Sequence, residues 1–378
     1  MAKRTFKGKI IGVLFLLIML LGLPFLGVTW KNGDLSQYLE FPPKTQYIEH
    51  APFSWAAFLF LSLFILIILA PFLVRGLKER APEKTGSDYA PTFPWWGWIG
   101  ILLGVLSWVL AWNRFSWFAP LQAHTFTPLW LSYIITINAL TCRKKGHCLL
   151  LHRPVFFLSL FPLSAAFWWL FEFLNRFVQN WYYVGKVFGP VEYFIYATLP
   201  FSTVLPAVTG TREWLLGFSW PDRKFRSFLP IHISRPRGLA WVMLLFSGMS
   251  LTFIGVWPNV LFPFLWISPL LIMVSLQTLW GERHIFSDLT RGDWRFLVTA
   301  ALAALICGIF WEMWNVYSFA KWRYNIPYVH RFQVFEMPLL GYAGYLPFGL
   351  ACIVIPEMIL GDIRPVPGAK VIIRSDLE

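Results

Sequence analysis

Phe296-Leu297-Val298-Thr299-Ala300-Ala301-Leu302-Ala303-Ala304-Leu305-Ile306-Cys307-Gly308-Ile309-Phe310-Trp311-Glu312-Met313-Trp314-Asn315-Val316-Tyr317-Ser318 holds a single charged side chain, Glu312. A hydrocarbon core about 30 Å thick takes about 20 residues of helix, so this run is long and apolar enough to cross one. Similar runs lie near 10–29, 53–74, 95–112, 117–142, 155–178, 191–209, 239–257, 259–280 and 337–358. The expectation is an all-α polytopic membrane helix bundle of about ten transmembrane helices. Composition points the same way: the 378 residues are 57% hydrophobic and only 13% charged, too little charge to keep a soluble chain of this size dispersed. With 22 Trp, 13 Tyr and 37 Phe the chain is not disordered, and 4 Cys do not make a disulfide-stapled scaffold.

The net charge of +13 does not imply nucleic acid, because most of the 32 Lys and Arg fall in short loops on one side of the ten-span topology. Basic loops of that kind fix orientation and meet anionic lipid headgroups. Lys3, Arg4, Lys7 and Lys9 precede the first run, which lacks a small-residue cleavage pattern and reads as a retained anchor. Both termini are therefore expected in the cytoplasm. The absence of an Asn-x-Ser/Thr acceptor suits a bacterial inner membrane. The loop from Trp220 to Gly238, with Arg223, Lys224, Arg226, Arg235 and Arg237, reads as a topology determinant that meets anionic headgroups.

The chain also resembles itself. Phe171-Glu172-Phe173-Leu174-Asn175 and Trp311-Glu312-Met313-Trp314-Asn315 are offset by 140 residues. Arg143 and Arg283 share that offset, and Trp181-Tyr182-Tyr183 parallels Trp322-Arg323-Tyr324. Glu192 precedes Leu199-Pro200-Phe201 as Glu336 precedes Leu346-Pro347-Phe348. The expected organisation is two N-terminal helices (1–94), a four-helix repeat (95–213), a basic linker (214–238), a second four-helix repeat (239–360) and a cytoplasmic tail (361–378). An even number of spans makes the copies parallel, related by an axis along the membrane normal.

Within each copy Glu and Asn stand three residues apart on one helix face, and Trp168 and Gln179 continue that face in the first copy. Carboxylates at membrane depth are costly and mark sites. Glu172, Glu312, Glu192 and Glu336 are expected to gather near the outer side between the copies, with Asn175 and Asn315 orienting them. Three uses remain open. As an enzyme, the protein would donate a proton from a desolvated Glu into an aromatic pocket that stabilises a carbocation. As a transporter, the same carboxylates would carry protons or a cation. As a structural or lipid-binding subunit in a membrane complex, they would latch helices, with Arg176 near Glu172 and Lys321 or Arg323 near Glu312 and Glu336.

Phe310-Trp311-Glu312, Trp322-Arg323-Tyr324-Asn325-Ile326-Pro327-Tyr328 and Phe335-Glu336-Met337-Pro338-Leu339 resemble the integral-membrane lycopene cyclase domain of carotenoid biosynthesis. The first copy, with Glu172, Trp181 and Glu192, fits the outline more loosely, and the similarity covers about half the chain in two patches. The family's paired Glu-Glu after a Pro is a single Glu here, and each copy is a four-span unit. The resemblance implies redox-neutral cyclisation of an isoprenoid by protonation of a double bond, without a cofactor. It makes the four Glu the acid candidates and places substrate against Asn175, Asn315, Trp168, Trp181, Trp311, Trp322, Tyr324 and Asn325.

Cys142, His147, Cys148 and His152 crowd one loop, but their spacing is not a standard zinc pattern and Arg143, Lys144 and Lys145 intervene, so no metal is expected there. Cys307 and Cys352 read as small packing residues. His124, His284 and His330 lack haem-like spacing. No phosphate loop, Gly-x-Ser-x-Gly or His-Glu-x-x-His stretch occurs. Pro338, Gly341, Gly344, Pro347 and Gly349 in the last span suggest close helix packing or a broken helix.

Overall fold

The computed structural model describes residues 6–78 and 92–361. The tail, the basic residues Lys3 and Arg4 and most of the loop between the second and third spans lie outside the described residues. The molecule is mostly helical: α1 (Phe6–Trp30), α2 (Ser36–Leu39), α3 (Trp55–Lys78), α4 (Trp95–Trp112), α5 (Phe126–Lys145), α6 (Leu149–His152), α7 (Pro154–Asn175), α8 (Pro190–Phe201), α9 (Val204–Leu215), α10 (Trp220–Phe225), α11 (Pro236–Phe253), α12 (Pro258–Leu261), α13 (Phe264–Leu279), α14 (Arg295–Val316) and α15 (Tyr345–Leu360). Proline opens α7, α8 and α11, where its missing N–H is no loss.

Seven helical segments among the described residues are long and apolar enough to cross a membrane: Ile11–Trp30, Trp55–Leu77, Trp95–Trp112, Pro154–Asn175, Pro190–Leu215, Arg295–Val316 and Leu339–Leu360. The other three expected spans also hold helices, α5, α11 and α13. Residues 117–142 do not form one element. Ser116–His124 is a separate 3-10 turn, and α5 begins only at Phe126 and ends in Arg143, Lys144 and Lys145. α13 is shortened by Pro263 ahead of it, which leaves Pro258–Leu261 as a separate turn.

The helices pack in the order α4, α5, α9, α14, α15, α13, α11, α1, and α7 closes the series by touching both α1 and α9. Glycine permits the closest approaches. A Cβ on Gly27 of α1 would lie 1.6 Å from the Thr252 carbonyl of α11, and one on Gly349 of α15 would lie 2.3 Å from the Ala300 carbonyl of α14. The break between α8 and α9 frees backbone groups that Ser164 of α7 satisfies: its Oγ donates to the Phe201 carbonyl (2.5 Å) and accepts from Leu205 N–H (3.0 Å). In contrast, α3 buries nothing along its apolar window and is held at its ends. Ser54 N–H binds the Tyr328 carbonyl, Arg75 Nε binds the Lys224 carbonyl, and Phe72 meets Trp294 edge to face at 5.1 Å.

Two short antiparallel pairings qualify the all-α expectation. β1 (Trp181–Val184), just beyond α7, pairs with β2 (Lys321–Tyr324), just beyond α14, in the register Trp181 to Tyr324 and Tyr183 to Trp322. β3 (Gln333–Val334) and β4 (Met337–Pro338) form a tight hairpin whose turn residues are Phe335 and Glu336. The β1–β2 sheet ties together the ends of the two helices that carry Glu172 and Glu312.

Candidate functional site

Glu172 lies one turn before the end of α7 and is 4% exposed. Three donors converge on its Oε1: Trp168 Nε1 at 3.1 Å, Trp181 Nε1 at 3.0 Å and Tyr183 OH at 2.6 Å. Trp168 arrives by the i−4 spacing of the same helix, and Trp181 and Tyr183 by the two-residue period of β1, which points both to one face. In the last of these bonds the Tyr183 phenol O–H is the donor and the carboxyl oxygen the acceptor. Oε2 takes none of these bonds. A cavity of about 210 Å³ opens beside Glu172, lined by Tyr38, Phe41, Trp169, Tyr193 and Arg176.

Glu312 on α14 repeats this plan with a closed site. It is 0% exposed. Its Oε1 accepts from Tyr324 OH and Tyr345 OH, both at 2.7 Å, and Trp322 Nε1 donates to Tyr324 OH at 2.8 Å. Oε2 has no partner. Each Asn lies three residues on and binds strand backbone. Asn175 Nδ2 donates to the Trp181 carbonyl (2.8 Å) and its Oδ1 accepts from Asn180 N–H (2.8 Å). Asn315 Nδ2 donates to the Trp322 carbonyl (2.8 Å) and its Oδ1 accepts from Trp322 N–H (2.9 Å). The asparagines therefore position the glutamates only indirectly, by placing the strands that carry their donors.

Sequence reasoning put four carboxylates in one site, and the structure separates them. Glu192, in the first turn of α8, is 40% exposed along its side chain and pairs with Lys186 at 3.4 Å. Glu336 occupies the β3–β4 turn instead of opening a helix, and pairs with Lys321. A neighbouring lysine pairs with each, at the surface for Glu192 and in a half-buried position for Glu336. Among the described residues no Lys or Arg forms an ion pair with Glu172 or Glu312. Arg176 lies near Glu172 as expected, in the lining of the same cavity, but its guanidinium donates to the Glu40 carbonyl at 2.5 Å. Asn325 leaves the site as well: its N–H binds the Asn180 carbonyl and its Nδ2 reaches His50 Nδ1 at 3.0 Å.

Nor do Glu172 and Glu312 share a pocket. Phe348 of α15 packs its ring 5.6 Å from that of Trp168, which bonds Glu172, and 6.3 Å from that of Trp311, beside Glu312 in sequence, with Phe171 and Trp266 also against it. Trp311 stacks on Tyr345 at 5.9 Å and meets Trp130 in a tilted contact at 4.9 Å. Tyr183, Tyr345, Phe348 and Tyr193 were not singled out from the sequence. Tyr183 alone carried a signal, as the position two after Trp181 on the same strand face.

The structure brings Cys142, Cys148 and His152 together at the opposite end of α7, with ligand atoms all within 4.8 Å of one another.

The fold and site define a mostly helical protein with segments able to cross a membrane and two buried, aromatic-walled carboxyls. No family model, curated protein or solved structure matches the chain.

Proposed function

We propose that the chain is a ten-span protein of a bacterial inner membrane, with both termini cytoplasmic, and that Glu172 is the acid of an isoprenoid cyclase or a related isoprenoid-processing enzyme. In this reading 95–213 and 239–360 are copies of one four-helix unit. What supports the duplication is the shared plan: α4 packs on α5 as α11 packs on α13, and each Glu–Asn pair meets an aromatic strand in the same way.

The observation that carries the catalytic reading is the asymmetry of the Glu172 carboxyl beside the aromatic cavity. Three donors saturate Oε1 and leave Oε2 as the position for a proton. A carboxylate at membrane depth costs several kcal/mol, and a carboxyl that carries a proton until substrate takes it avoids that cost. Transfer of that proton to a terminal carbon–carbon double bond leaves a tertiary cation. A neighbouring double bond attacks the cation, closing a carbon–carbon bond and moving the charge into the ring. Loss of a ring proton to Glu172 restores the acid, so no electrons are gained or lost and no cofactor is needed. The faces of Trp169 and Tyr193 would shield the cation from water and stabilise it.

Glu312 takes a different role in this reading. Fully buried and bonded by Tyr324 and Tyr345, it latches α14 to β2 and α15.

Expression of the protein in a lycopene-accumulating bacterial host, followed by chromatographic analysis of pigments and copurifying lipids, tests the activity. A cyclised end group supports it. Unchanged lycopene, from protein that is folded and has no bound isoprenoid, would reject it.

A further inference from the structure

The cysteine and histidine cluster at the other end of α7 is independent of the carboxylate sites. α5 ends at Lys145, and Gly146, at φ +76°, turns the chain through a left-handed cap whose N–H binds the Cys142 carbonyl at 2.8 Å. The turn brings Cys148 back beside Cys142, with the two Sγ atoms 2.9 Å apart. Cys148 then precedes α6, so His152 comes one turn later onto the same face. The loop is pinned from below by buried Asn138, whose Oδ1 accepts from Leu150 N–H at 3.2 Å. The His147 ring lies 6.0 Å from that of His152.

We infer that Cys142, Cys148 and His152 bind a borderline-soft divalent cation, Zn2+ above all, with His147 or water as the fourth ligand. Tetrahedral zinc with thiolates at about 2.3 Å sets neighbouring ligand atoms about 3.8 Å apart, so three atoms already within 4.8 Å need only small side-chain rotations. Two thiolates and an imidazole suit zinc better than the oxygen-loving cations. Two of the three basic residues that argued against a metal in the sequence, Lys144 and Lys145, are turned to other partners. Lys145 pairs with Glu213 at 2.8 Å and the Lys144 ammonium sits 5.0 Å over the Phe218 ring. Two thiolates neutralise the 2+ charge, and both thiol protons leave to solvent on binding. The cation would clasp the end of α5 to the start of α7.

The test uses the full-length protein in detergent under a non-thiol reductant, titrated with Co2+ and then with Zn2+. The inference expects saturation at one equivalent, a thiolate-to-cobalt charge-transfer band with tetrahedral visible bands, and loss of both when Zn2+ is added. Zn2+ should also shield Cys142 and Cys148 from maleimide, leaving Cys307 and Cys352 unaffected as internal controls. Cys142→Ser with Cys148→Ser should abolish the bands, and Cys307→Ser with Cys352→Ser should keep them. If the first pair fails to fold, His152→Ala keeps both thiols and should lose saturation at one equivalent. Absence of the charge-transfer band in the reduced wild-type protein, or its survival without Cys142 and Cys148, would overturn the inference.

Discussion

Trp181 and Tyr324 face each other across the β1–β2 pairing, and each gives a hydrogen bond to a different buried glutamate: Trp181 Nε1 lies 3.0 Å from Glu172 Oε1 and Tyr324 OH 2.7 Å from Glu312 Oε1. A sheet only four residues long therefore positions donors for two acids on two helices, and its integrity couples the sites.

That coupling is sensitive at Gly185, the residue after β1. Its φ is +108°, and a Cβ there would lie 2.0 Å from the Phe319 carbonyl. Gly185→Ala should lower stability by more than about 1 kcal/mol and shift tryptophan fluorescence, because both a disfavoured backbone angle and a backbone clash are imposed. An unchanged melting temperature and spectrum would show that the strands are not held at this point.

Asn315 bonds both the N–H and the carbonyl of Trp322 from a fully buried position. Asn315→Leu should cost about 2 kcal/mol or more, since each buried group left unpaired costs about 1–3 kcal/mol. Chemical denaturation in detergent measures this, and a loss of a few tenths would mean that water or another group takes over.

The latch assigned to Glu312 rests on two tyrosines. Tyr324→Phe and Tyr345→Phe should each cost about 1 kcal/mol, and each should cost less in a Glu312→Leu background, the sign of a direct bond in a double-mutant cycle. Additive losses would separate the tyrosines from the acid.

Outside the spans, Asp288 carries a pH dependence. Burial would raise its pKa, but hydrogen bonds from Arg283 and Arg291 outweigh that and hold it below the ordinary aspartate range. Since the folded value is the lower one, its contribution is present above the unfolded value and fades as pH falls through the folded value. Stability should hold from neutral pH down to about pH 4 and then decline. Asp288→Asn should reduce neutral stability and flatten the acid limb, whereas a wild-type slope in the variant would place the acid sensitivity elsewhere.

The helices were legible because an apolar run of span length has few other uses, and Glu172 and Glu312 were legible because a carboxylate inside such a run is costly. Their surroundings were not. Tyr345 comes to Glu312 from a helix whose placement depends on Gly349 against Ala300, a packing relation with no local signature. Phe348, whose ring packs near both Trp168 and Trp311, lies on that same helix. β1 and β2 are too short for an alternating pattern to stand out, although their Trp and Tyr did signal a parallel between the copies. Glu192 and Glu336 were expected to open the returning helices at the level of the other two, but Lys186 and Lys321 pair with them, Glu192 at an exposed position and Glu336 in the β3–β4 turn. The Cys142 and Cys148 spacing matched no standard metal pattern because the left-handed turn at Gly146, not the spacing, brings the sulfurs together.

The central claim is that Glu172, and not Glu312, is the acid. Glu172→Gln and Glu312→Gln, compared with wild type in the lycopene-accumulating host alongside melting temperatures of the purified proteins, separate the two roles. The expected result is that Glu172→Gln abolishes the cyclised product while melting within a few degrees of wild type, and that Glu312→Gln lowers the melting temperature while the protein that remains folded still forms product. Full product formation by a folded Glu172→Gln protein would contradict the account.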